Sequence, residues 1–169
     1  MRGNRAFLSA IHILIFILLA AGVNAFLLSL PPSPLPGNPN NDTVILQSSS
    51  NDCGPAALQM IFEHFGIQTS REEIDTEVHP GEEGTPMLRL MKMAEKKGLR
   101  TAGWRLTFDD LAKRNAPAIL FIRKRHFVVV DSVRSDRVFM RDPGNGRMIY
   151  SKSQLLRVWK GEALIFADQ

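Results

Sequence analysis

The spacing of apolar residues changes period partway along the chain, and that change restricts the fold more than any other feature. From Gly54 to Phe65, the residues Ala57, Leu58, Ile61, Phe62 and Phe65 recur at helical spacing, and Gly66 follows as a C-terminal stop. Ser70-Arg71-Glu72-Glu73 is a capping box that opens a short second helix. Thr85-Pro86 predicts a third, with proline at the first helical position and Lys96-Lys97-Gly98 at its close. Thr107 ahead of Asp109 and Asp110 predicts a fourth, ending near Asn115. Beyond that point Ala118 to Ile122, Phe127 to Val133 and Arg137 to Arg141 are β-branched and aromatic runs separated by polar turns, which predicts an antiparallel meander. Asp142-Pro143-Gly144-Asn145-Gly146 is a turn into a strand at Arg147 to Tyr150. Ser151 caps a last helix running through Trp159, and Ala163 to Ala167 closes the sheet. Helices first and sheet second is an α+β layout.

The N-terminal part obeys other rules. Ala6 to Leu30 carries no Asp, Glu, Lys or Arg, and a helix crosses a bilayer core with roughly 20 residues. Arg2 and Arg5 precede this run, and the stretch from Pro31 to Asn41 behind it is uncharged. The positive-inside rule then places the N-terminus in the cytoplasm and the rest outside. Val23-Asn24-Ala25 offers a signal-peptidase site as the alternative, although Phe26-Leu27-Leu28 prolongs the apolar run past it. The expected organisation is a signal anchor over 1–30, a Pro-rich linker over 31–42 and one folded domain over 43–169, held at the cytoplasmic membrane and facing the periplasm or exterior. Charge points away from nucleic acid: the pI is about 9.6, but 21 Lys and Arg are interleaved with 17 Asp and Glu. No G-x-x-x-x-G-K-[ST] loop exists for ATP. His64, His79 and the carboxylates near them show no metal-ligand spacing, so no cofactor or metal is expected.

The chain holds one cysteine, Cys53, directly ahead of the first core helix. A helix N-terminus favours a thiolate. A free cysteine is as often a small buried hydrophobe. Acyl transfer by a thiol needs three further groups: a base, an orienting group and an oxyanion donor. His126, where Arg123-Lys124-Arg125 meets the strand Phe127-Val128-Val129-Val130, lies at a rim suited to the base. Asp142, at the end of the next strand, is placed to reach the outer ring nitrogen, and Gln47 to aim its side-chain N–H at an oxyanion beside the Cys53 main-chain N–H. Each has an ordinary reading as well: a strand-end histidine, a turn aspartate, a surface amide. If the constellation is real, Cys53 is accessible and alkylates faster than an unperturbed thiol.

At these residues the chain resembles the peptidase C39 family, the papain-like double-glycine leader peptidases found fused to peptide-exporting ABC transporters. The resemblance runs from about Val44 to Phe166 and includes the Gln47 to Cys53 interval, Asp52-Cys53-Gly54-Pro55-Ala56-Ala57-Leu58, the His126 to Val130 strand and the 142–146 turn. It implies a papain-like fold, a Cys53, His126, Asp142 triad with Gln47 in the oxyanion hole, and cleavage of an exported peptide or protein after a Gly-Gly pair. It also implies a secretion system or ABC exporter as partner. An inactive peptide-binding module of the same fold, or a papain-like amidase or acyltransferase, stands as the alternative.

Overall fold

The computed structural model describes residues 43–114 and 116–167. The apolar run at Ala6 to Leu30 and the linker behind it lie outside the described residues. No helix among the described residues is long and apolar enough to cross a membrane.

Three helices come first, α1 (Cys53–His64), α2 (Arg71–Val78) and α3 (Met87–Lys96). They are followed by β1 (Arg100–Arg105), α4 (Phe108–Ala112), β2 (Ala118–Ile122), β3 (His126–Arg134), β4 (Arg137–Asp142), β5 (Gly146–Ser151), α5 (Lys152–Val158) and β6 (Trp159–Ala167). The strands make one antiparallel sheet in the order β1-β6-β2-β3-β4-β5. From β2 to β5 this is a meander; β6 returns across it to pair with β2 on one side and β1 on the other.

The runs at β2 and β3 are apolar without alternation because both faces of the sheet are covered. Ile119, Phe127, Val129 and Leu164 face α1, α2 and α3 around Leu58, Ile61, Phe62, Ile74 and Leu90. Leu120, Ile122, Val128 and Val130 face the opposite way, against Phe108, Leu111, Leu155 and Trp159. Period two within each strand therefore sorts neighbours into two separate cores. Helices pack on the sheet as the α+β reading expects, and α4 and α5 add a layer on its far side.

Four local expectations are corrected. β1 falls where no strand was expected, because its outer positions are exposed and carry no apolar alternation. The third helix begins at Met87, with Pro86 extended (φ −60°, ψ 137°) as its N-cap, so the Thr85 side chain caps nothing. Trp159 belongs to the strand: its indole N–H donates to the Glu162 carbonyl at 2.9 Å, and the extended backbone pairs with Ile122. The box at Ser70 is half formed, since Ser70 accepts from the Glu73 N–H while the Glu73 carboxylate turns to Thr69 and Lys97. At Thr107 the reciprocal box with Asp110 is complete.

Candidate active site

Cys53 is the first residue of α1, so its sulfur sits among main-chain N–H groups that lack helical acceptors. Its thiol is hydrogen-bonded to His126 and meets the N–H groups of Phe127 and Gly54. Burial raises its pKa; these donors and the charge on His126 outweigh that and hold it below the ordinary thiol value. Gly54 lets the helix start pack closely here: a Cβ would lie 3.3 Å from the Phe127 and Thr85 side chains, close enough that they would have to shift by a few tenths of an ångström.

His126 begins β3, and its Nε2 lies 2.7 Å from Asp142 Oδ1. That contact occupies the outer nitrogen and leaves Nδ1 for the thiol. Burial lowers the His126 pKa, but the hydrogen bonds to Asp142 and Cys53 and their charges prevail and push it up to about 9. The two shifts run in the directions that favour a thiolate beside an imidazolium.

Asp142 ends β4 and is only 3% exposed. Its Oδ1 also accepts from the Gly144 N–H at 2.7 Å, and Oδ2 accepts from Asn145 Nδ2 at 3.0 Å. Burial raises its pKa, and His126, Asn145 and Gly144 bring it below the carboxylate range. Asp142 is therefore both a turn residue and the partner of the imidazole.

Gln47 reaches the same place by a different route. Its main-chain N–H donates to the Pro143 carbonyl at 2.8 Å, tying the loop before Cys53 to the turn after Asp142. Its side-chain Nε2 donates to the Ser49 carbonyl at 2.6 Å, while Oε1 is buried with no hydrogen-bond partner among the described residues, 3.4 Å from where a Cβ on Gly144 would sit.

The expectation of an openly accessible thiol needs correction: Cys53 is 5% exposed. It lines a cleft of about 580 Å³ together with Asn51, Thr85, Phe121 and Phe127. A second hollow beside it, about 390 Å³, is walled by Trp104, Met87 and Phe121. Trp104, 56% exposed, is thus a wall residue, and Trp159 is core. His79 is the left-handed cap of α2 and contacts the Glu77 carbonyl, and the His64 ring lies edge-on to Phe65. Among the described residues no three His, Cys, Asp or Glu side chains gather as a metal site.

One residue that the sequence analysis left unused organises the nucleophile loop. The buried Asp52 carboxylate accepts from the Ser48 N–H (3.0 Å), Ser48 Oγ (2.7 Å), the Ser49 N–H (3.1 Å) and Arg71 on α2 (2.7 Å). Burial raises its pKa, and these bonds more than reverse the shift. Its position beside the cysteine was the available signal. Removing Arg71 leaves that carboxylate without its cation but with the Ser48 and Ser49 donors, so Arg71→Met is expected to cost about 1–2 kcal/mol, in the range for losing one hydrogen bond to a charged group. Urea unfolding of both chains measures it; an unchanged midpoint would reduce the pair to a surface contact.

Residues 41–169 match the peptidase C39 family. A protein of Methanothermobacter thermautotrophicus is 29% identical over 125 residues, which is 74% of this chain and 88% of its own length. The colicin V secretion/processing ATP-binding protein CvaB of Escherichia coli is 31% identical over 121 residues, 72% of this chain and 17% of that one. The crystal structure of a double glycine motif protease from an AMS/PCAT transporter, in complex with its leader peptide, superposes with a TM-score of 0.72 at 24% identity, covering 83% of this chain and all of the other. At that identity the likeness speaks for the fold.

Proposed function

Because the chain belongs to the peptidase C39 family, homologous to the double-glycine leader peptidases of ABC transporters, we propose that it is a cysteine peptidase that cleaves an exported peptide or protein after a Gly-Gly pair. The observation that carries this reading is His126, bridging the Cys53 thiol and the Asp142 carboxylate through its two ring nitrogens. The thiolate attacks the scissile carbonyl carbon and the π electrons move to oxygen. His126 then gives its proton to the departing amine as the C–N bond breaks, leaving a thioester on Cys53. Neutral His126 next takes a proton from water, whose oxygen attacks the thioester, and the acid product leaves with Cys53 again a thiolate. Asp142 keeps the imidazole oriented and favours its cationic form throughout.

The oxyanion falls to the Cys53 N–H and Gln47. With a substrate carbonyl in the cleft, the Gln47 amide exchanges the Ser49 carbonyl for the developing negative charge; Ser49 is exposed, so water replaces that bond at little cost. Gln47→Ala is accordingly expected to lower kcat by roughly 10²–10³-fold with KM little changed. Steady-state kinetics on a Gly-Gly peptide decide this, and an unchanged kcat removes Gln47 from the chemistry. The turned-away amide also favours a second reading, a module that holds peptides without cleaving them. Incubating the chain with Gly-Gly peptides and following products by mass spectrometry separates the two, since only a peptidase yields fragments ending in Gly-Gly.

We further propose that residues 1–30 anchor the chain, that 31–42 space it from the bilayer and that the domain over 43–169 faces outward beside a secretion system or exporter. The charge-free run, the preceding Arg2 and Arg5 and the uncharged linker support this. A C-terminal alkaline phosphatase fusion should be active in whole cells. An inactive fusion would instead put Cys53 on the cytoplasmic side.

A further inference from the structure

Two charged turns face the cleft over Cys53. Lys124 and Arg125, in the turn between β2 and β3, and Glu82 and Glu83, between α2 and α3, line the same cleft. Solvated charges at loop tips ordinarily need no explanation, but these tips are pinned. The Arg123 N–H donates to the Val158 carbonyl at 2.7 Å and the Arg125 N–H to the Ile122 carbonyl at 3.1 Å. Arg123 and Lys124 are both left-handed (φ 51° and 57°), a conformation that side-chain-bearing residues rarely adopt and that the fold must impose. In the other turn, Gly81 and Gly84 exchange N–H to carbonyl bonds at 3.1 and 3.0 Å, closing a tight loop around the two glutamates. Asn51 Nδ2 fastens that loop to the nucleophile segment through the Gly81 carbonyl at 2.8 Å. Among the described residues none of the four charges has an ion-pair partner.

A third group points to what fills the cleft. Thr85, 7% exposed, lines the same cleft, and its hydroxyl has no hydrogen-bond partner among the described residues. A buried hydroxyl left unpaired carries a desolvation cost that an incoming main-chain amide or carbonyl removes. Phe121 and Phe127 supply the apolar part of the lining. The cleft therefore presents carboxylates from one turn, cations from another and an unspent hydroxyl, a set complementary to an extended peptide with charges of both signs.

We propose that the cleft selects a peptide bearing an acidic side chain toward Lys124 and Arg125 and a basic side chain toward Glu82 and Glu83, with the Thr85 hydroxyl bonding the peptide main chain. The inference rests on the reading of this cleft as a peptide site and adds the class of substrate. Exposed charges act mainly on capture and on discrimination between peptides, so the preference is carried by affinity and weakens with salt.

The test uses the full chain carrying Cys53→Ala and fluorescein-labelled Gly-Gly peptides of equal length, read by fluorescence anisotropy at low salt. The peptides are acidic before and basic after the Gly-Gly pair, the reverse order, and uncharged. One charge order is expected to bind about 10-fold more tightly than the other two peptides, with the advantage shrinking as salt is raised. The fourfold reversal Glu82→Lys, Glu83→Lys, Lys124→Glu and Arg125→Glu should transfer the advantage to the opposite order. If that chain fails to fold by circular dichroism, the separate neutral variants Glu82→Gln/Glu83→Gln and Lys124→Gln/Arg125→Gln should each remove part of the preference. Equal binding of both orders, or a preference unchanged in these variants, overturns the inference. Cleavage of the uncharged peptide by the wild-type chain is scored separately. Cleavage without order preference removes only the charge selection, and order-dependent binding without cleavage removes only the peptidase reading.

Discussion

Cys53→Ala is expected to abolish peptide cleavage, lowering kcat on the order of 10⁶-fold, the loss seen when a covalent nucleophile is taken from a triad. Stability should change little, because the substitution removes one sulfur from the edge of a core whose Leu58, Ile61 and Phe62 remain packed. Peptide binding should persist, since the walls of the cleft do not depend on the thiol. Product formation followed by mass spectrometry, with circular dichroism on the same sample, checks all three. Residual turnover above one part in about a thousand would show that the reaction does not pass through a thioester on Cys53.

The second large effect belongs to His126→Ala, with a loss comparable to that of Cys53→Ala. The double variant should be no slower than either alone, because nucleophile and base act as one unit. Its signature is also visible without substrate. In the wild type, iodoacetamide should react with a midpoint below about 8.5, the value of a free thiol, because His126 and the N–H groups of Phe127 and Gly54 stabilise the thiolate. Removing the imidazole removes the largest of those influences, so the midpoint should move upward. The sign on the alkaline side follows from the raised pKa. His126 stays protonated up to about 9, so cleavage by the wild type should hold through neutral pH and fall as pH climbs past about 9, when the proton for the leaving amine is lost. A midpoint identical in wild type and His126→Ala would disconnect the two side chains.

Much of this arrangement is legible in the sequence where local chemistry and fold agree. The Gly54 to Phe65 periodicity becomes α1, the Asp142 to Gly146 turn falls where its residues place it, and His126 stands at the start of its strand. What escapes reading depends on partners far along the chain. Arg141 looks like a solvent-facing position in an alternating strand, yet it is fully buried, held by Asp131 and the Thr43 carbonyl. Asp52 and Arg71 each read as surface charges until a helix and a loop are brought together. β1 has too little apolar content to announce itself and is recruited by its register with β6. Gln47 is legible as a neighbour of the site, but the direction of its amide depends on Ser49.

The bond from the Gln47 N–H to the Pro143 carbonyl joins the segment carrying the nucleophile to the turn carrying the acid. Because it is a main-chain bond, no side-chain substitution elsewhere in the site deletes it directly, and the Gln47 amide proton becomes a single reporter on whether the two halves are latched. Slow deuterium uptake at that proton means that loop and turn open together as one cooperative unit, whereas rapid uptake there beside a protected α1 means that the catalytic groups are assembled afresh in each encounter.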